Sequence, residues 1–86
     1  MPTLCRFLGI VIRMYHKDDG PPHFHAYYGD TGAVIEIETL RVSSGRLPRR
    51  ALALVHEWAF QHRPELLENW RRAESREALA EIEPLE

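Results

Sequence analysis

Internal disulfide cross-links are excluded at once, because the chain holds a single cysteine, Cys5, and a small fold without one must rest on its core or on a partner. Long apolar runs are lacking too. The longest, Phe7 to Ile12 with Gly9 inside it, falls far short of the roughly 20 residues that span a bilayer, and the N-terminus shows no basic start, apolar stretch and small-residue cleavage pattern. Charge of one sign is also scarce: Lys plus Arg number 11 and Asp plus Glu 13, a formal net charge of -2. That balance argues against a generally basic nucleic-acid sleeve and leaves room for a local basic patch. No solenoid-length repeat, low-complexity stretch, P-loop, glycine-rich dinucleotide fingerprint, Cys-x-x-Cys or His-Glu-x-x-His zinc helix occurs. These absences lead us to expect a cytoplasmic protein with no membrane segment.

What is present fits a single domain over residues 1–86, with 44% hydrophobic residues for one modest core. The period of the pattern changes along the chain. From Gly9 to Val42 apolar residues alternate with a period of two, and from Pro48 to about Ala73 they recur every three or four, so strands precede helix. The expected class is α+β: a three- or four-stranded antiparallel meander (residues 1–45), a long or Pro-kinked helical region (46–73) on its apolar face, and an acidic tail (74–86). Ile10, Ile12 and Met14 share one face of the first expected strand, and the segment from His16 to Pro22, with Lys17, Gly20 and Pro21, breaks it. The next two strands are expected at about His23–Tyr28 and Ala33–Glu38, joined through Gly29-Asp30-Thr31-Gly32. A short fourth strand is expected near Arg41–Ser43.

Setting Tyr28 opposite Ala33 places His25 opposite Glu36 and His23 opposite Glu38, with Phe24, Ala26, Ile35 and Ile37 on the other face. Two imidazoles at i and i+2 point the same way, and the facing carboxylates complete a set able to hold a divalent metal such as zinc, manganese or iron. The same residues suit acid-base work, with a Glu orienting each His. Their ordinary alternative is cross-strand pairing on a solvent face, stabilising by about 0.2–1 kcal/mol per pair. A second feature is Arg41, Arg46, Arg49 and Arg50, four basic residues in a ten-residue window without an acid. Arg46, Arg49 and Arg50 are candidate anion-binding residues, with Leu47 as cap, Pro48 opening the helix, and its free N–H groups alongside. Trp58 and Trp70 fall on the helical apolar stripe and are expected in the core. Pro64 marks either a kink or the start of a second helix. The tail, with one basic and five acidic residues from 74 to 86, reads as a solvated terminus.

Several segments together resemble a small prokaryotic family, the domain of unknown function numbered forty-one sixty: Met1-Pro2-Thr3, Gly9-Ile10-Val11-Ile12-Arg13-Met14-Tyr15, Pro21-Pro22-His23-Phe24-His25-Ala26, Ile35-Glu36-Ile37-Glu38, Leu47-Pro48-Arg49-Arg50-Ala51-Leu52 and Glu68-Asn69-Trp70. The chain departs from the family pattern at Leu40, where a turn glycine is common, and at Pro64, where the helix usually runs on. The resemblance implies a gene found beside another small protein of unknown function, number twenty-four forty-two, in toxin-antitoxin-like pairs; it implies no reaction. The expected function is therefore a protein-interaction component of such a pair, binding the neighbouring gene's small product and open to homo-oligomer formation. The alternative is a small ribonuclease-like toxin or metal-binding enzyme that uses His23, His25, Glu36 and Glu38, with RNA as the target.

Overall fold

A computed structural model describes residues 3–16 and 18–86; Met1 and Pro2 of the resemblance and Lys17 of the expected loop lie outside the described residues. Strands β1 (Thr3–Phe7), β2 (Ile10–Arg13), β3 (His23–Tyr28), β4 (Thr31–Glu36) and β5 (Val42–Arg46) are followed by helices α1 (Arg49–Gln61) and α2 (Arg63–Glu74). The strands form one antiparallel meander in chain order. The α+β class is as expected, and two details of it are corrected. There are five strands where three or four were expected, and two helices where one long or kinked helix was.

The additional strand is β1, and its pairing explains why alternation does not reveal it. Between Thr3 and Cys5 its register against β2 shifts, so Leu4 and Cys5 are both buried in succession. A bulge of this kind turns two consecutive side chains inward and breaks the period of two. At the far edge β5 is Val42-Ser43-Ser44-Gly45-Arg46 and mostly exposed, too polar for an alternating pattern. Gly45 is obligatory there. Its φ is +74°, and a Cβ would lie 2.2 Å from the carbonyl oxygen of Gly32.

The β3–β4 hairpin corrects the expected register by two residues: Tyr28 pairs with Thr31, Ala26 with Ala33, His25 with Val34 and His23 with Glu36. Only Gly29-Asp30 turns the chain, and Thr31 and Gly32 continue the strand. A shift of two preserves the faces, because side chains alternate with a period of two. β4 ends at Glu36. Leu40 then takes φ +61° in the turn to β5, where its N–H donates to the Glu36 carbonyl at 2.8 Å, so this turn closes without glycine. A leucine held in the left-handed region costs about 1–2 kcal/mol, offset by its packing against the core.

Both helices bury one stripe. Ala51, Val55, Trp58 and Ala59 of α1 and Leu66, Asn69, Trp70 and Ala73 of α2 are buried. Trp58 meets Phe7 at 5.7 Å and Phe24 at 6.1 Å between ring centroids, which seats α1 on the sheet's apolar face. The cap of α1 is Pro48 rather than Leu47, with no side-chain hydrogen bond to the free N–H groups. Pro64 sits in the first turn of α2, where its missing N–H has no helical partner to lose.

The tail docks instead of extending into solvent. Asn69, 1% exposed, exchanges two 2.8 Å hydrogen bonds with the backbone of Ala80. The N–H of Ile82 donates to Leu4 O at 2.9 Å, and the indole of Trp58 donates to Glu83 O at 2.8 Å. Ile82 is thereby buried against the core. Among the described residues no helix is long and apolar enough to cross a membrane.

Candidate metal centre on the open sheet face

Strand pleating sends Phe24, Ala26, Ile35 and Ile37 under the helices and turns His23, His25, Tyr27 and Val34 to the other face. At one end of that face a carboxylate from the β2–β3 loop meets both imidazoles. Asp18 Oδ2 lies 2.9 Å from His23 Nε2 and 3.2 Å from His25 Nε2. The loop folds back through Gly20, whose φ of +91° favours glycine, and through Pro21-Pro22. The ligand atoms of Asp18, His23 and His25 all lie within 4.8 Å of one another.

Pro21 fixes the orientation of His23. The Nδ1 of that ring is 2.8 Å from the Pro21 carbonyl oxygen, which carries only lone pairs, so Nδ1–H is the donor. A neutral imidazole has one N–H, and Nε2 therefore aims a lone pair at the Asp18 carboxylate. Two acceptors facing each other at 2.9 Å require a cation between them, either a proton on the ring or a metal ion. The arrangement matches the outer-shell pattern of metal-binding histidines, in which the second nitrogen is held by a backbone carbonyl. His23 is buried against Trp70, 4.9 Å away between centroids. His25 takes Tyr15 edge-on at 4.6 Å and lies parallel to Tyr27 at 6.3 Å. Burial opposes the charge on Asp18, yet the hydrogen bonds from His25 and His23 outweigh it and hold the carboxyl below its usual value. Burial, reinforced by the hydrogen bond with Tyr15, pushes the Tyr27 hydroxyl up to about 12.

His23 and His25, expected together, are together; the two glutamates stand apart from them. Glu36 is opposite His23 in register, but its carboxylate accepts from Thr39 Oγ1 at 3.1 Å and lies 3.8 Å from Arg41. Glu38 is exposed in the turn beyond β4. Arg49 and Arg50 are exposed in the first turn of α1, and Arg50 lines a cleft with Leu8, Tyr28 and Leu54 at the hairpin end. Arg46 lies on β5 opposite Gly32. The residue that sequence reasoning missed is Asp18. Its only signal was a carboxylate five residues before His23, in a loop that glycine and two prolines oblige to turn back.

Cross-strand rows complete the face. One runs Arg6, Val11, Tyr27, Gly32, Arg46 across all five strands, and the next runs Thr3, Arg13, His25, Val34, Ser44. Tyr27 leans over Gly32, where a Cβ would meet its ring at 2.8 Å. Arg13 places its guanidinium 5.9 Å from the Tyr27 ring centroid and donates through Nε to Thr3 Oγ1.

The fold and site define a small α+β protein: a five-stranded meander with helices on one face and a His-His-Asp cluster at the end of the other. The chain belongs to the family described as domain of unknown function DUF4160, whose family model matches residues 9–71, from β2 to most of α2. No curated protein and no solved structure matches it.

Proposed function

We propose that the chain binds a divalent transition-metal ion through Asp18 Oδ2, His23 Nε2 and His25 Nε2, and that this centre is where it works. The observation that carries this reading is the Pro21 carbonyl on His23 Nδ1, which takes up that N–H and leaves Nε2 facing a carboxylate across a gap that a proton or a metal ion must bridge. Metal bonds of about 2.1 Å separate their donor atoms by about 3.0 Å at octahedral and about 3.4 Å at tetrahedral angles, so the 2.9 and 3.2 Å contacts here need open little to admit an ion. Two imidazoles and a carboxylate suit zinc, manganese or ferrous iron, and three protein ligands leave a position for water or substrate. An ion held by Asp18, His23 and His25 would supply Lewis-acid chemistry of the kind that serves hydrolysis.

Thermal unfolding with and without added zinc or manganese tests the reading. A site filled at 100 times its dissociation constant stabilises by about 2.7 kcal/mol, which raises the Tm of a chain this size by about 10 °C or more. The His25→Ala variant is expected to lose that shift. An unchanged Tm in the parent, together with no bound metal by equilibrium dialysis, overturns the proposal.

A second reading, a small protein partner from a neighbouring gene in a toxin-antitoxin-like pair, is favoured by apolar surface at the hairpin end. Leu8 and Tyr28 are 64% and 41% exposed there and share their cleft with Leu54. Co-expression with the neighbouring product checks it: co-purification that Leu8→Asp abolishes supports the pair, and separate elution removes it.

A further inference from the structure

We infer that the open sheet face binds single-stranded RNA, with the backbone tracking Arg6, Arg13 and Arg46 and a base resting on Tyr27. The inference gives the proposed metal centre its substrate and to that extent rests on that reading; the arginine and tyrosine positions are separate from the metal ligands.

Arg6, Arg13 and Arg46 belong to β1, β2 and β5, yet the register brings all three to one face. Among the described residues, none has a carboxylate within 4 Å. Arg41, Arg71 and Arg72 are paired with glutamates, and Arg49, Arg50, Arg63 and Arg76, which follow the sheet in the chain, share the freedom of Arg6, Arg13 and Arg46 without sharing their sheet face. Arg6 and Arg46 are exposed, and a separation of four strands puts them about 19 Å apart. The acids on the same face are engaged, Glu36 by Thr39 and Arg41 and Asp18 by His23 and His25. The chain's negative net charge thus masks a face whose unpaired charges are cationic, and counterion release from a bound phosphate backbone would favour such a surface.

Aromatic placement supplies the second element. Tyr27 stands in the row between Arg6 and Arg46, and its side chain is tied down by Tyr15, hydroxyl to hydroxyl at 2.8 Å. Gly32 leaves it the space it occupies. A fixed ring between cations on an uncovered sheet is the way a sheet receives unstacked bases, two or three at a time on a comparable four-stranded surface. A duplex presents no such base faces, so the partner is single-stranded. Ser44, in the adjoining row, sets a hydroxyl beside the track, which suits the 2′-hydroxyl that distinguishes RNA. A strand lying on Tyr27 and Arg13 brings a phosphate toward the Asp18–His23–His25 cluster, since Arg13 and His25 are direct cross-strand partners.

Fluorescence anisotropy of a labelled mixed-sequence RNA octamer, titrated with the full chain in EDTA between 50 and 200 mM salt, tests this. Saturable binding is expected, with a log-log salt slope of about -2 from three phosphate contacts. Arg46→Ala is expected to flatten that slope by about 0.7, and Tyr27→Ala to weaken binding about fivefold or more with an unchanged far-UV circular dichroism spectrum. Arg71→Ala, on α2 and paired with Glu68 and Glu77, is expected to bind as the parent does. No saturable binding, or equal effects of Arg46→Ala and Arg71→Ala, overturns the proposal; a DNA octamer bound as tightly overturns the assignment to RNA. Because EDTA removes metal from this assay, RNA binding without metal uptake sinks the metal centre alone, and metal uptake without RNA binding sinks this face alone.

Discussion

On the helix side of the sheet Phe24, Ala26, Ile35 and Ile37 are all 0% exposed, and burial of apolar area accounts for each of them. On the other side His23, His25, Tyr15 and Tyr27 are also partly or wholly covered, yet every one carries a polar atom with a named partner. The two faces are ordered by different physics: the first by non-directional burial, the second by directional contacts that fail one at a time. A face of the second kind, centred on Asp18 at one end of the sheet, carries the proposed metal centre on a fold held together elsewhere.

The largest test of that contrast is a pair of truncations on adjacent positions of β3. Phe24→Ala is expected to cost about 3–5 kcal/mol, much of the whole stability of a chain this size, whereas His25→Ala is expected to cost about 1 kcal/mol or less while abolishing the metal-induced rise in Tm. Urea unfolding of both variants measures the difference, and equal costs would mean that His25 is simply core. A smaller effect sharpens the contrast from within the open face. Gly32→Ala drives a methyl into the Tyr27 ring, so it is expected to cost about 1 kcal/mol, to leave the Phe24–Trp58 core intact, and to weaken the octamer's binding through displaced Tyr27. Near-UV circular dichroism and anisotropy report the two consequences separately.

The smallest effect comes from a site on neither face. Hydrogen bonds from Arg71 and then Arg72 hold the exposed Glu68 carboxyl down to about 2. A carboxyl held low in the folded state adds stability that is complete above its ordinary value near 4.5 and is lost as pH falls toward 2. Parent and Glu68→Gln are therefore expected to differ slightly near neutrality and to converge in acid, with the difference shrinking further in high salt. A difference that widened in acid would break this account.

The legible parts of the molecule are those where one force acts on consecutive residues. Alternation in Ile10-Val11-Ile12-Arg13 and in Phe24-His25-Ala26 marked two central strands and put both histidines on one face. The three-four spacing of Ala51, Val55, Trp58 and Ala59 marked the helix on the core. Where a local irregularity interrupted the pattern, expectation and structure diverged. The bulge at Leu4–Cys5 concealed β1, the polarity of Ser43-Ser44-Gly45 shortened β5, and a two-residue turn in place of four shifted the hairpin by two. That shift separated His25 from Glu36. Asp18 was out of reach for another reason: a loop carboxylate is brought to the histidines by backbone reversal at Gly20 and Pro21, and no periodicity records that. The docked tail likewise depends on Asn69 and Ala80, one buried amide and one backbone unit far along the chain.

The tail has a last consequence for the margins of the sheet. By giving the N–H of Ile82 to Leu4 O, it claims part of the outer margin of β1, while among the described residues no strand pairs with the outer margin of β5. A sheet with two bare margins can add neighbours without end and grow into a fibre. A sheet with one bare margin can join a single mate about a two-fold axis, and growth stops there.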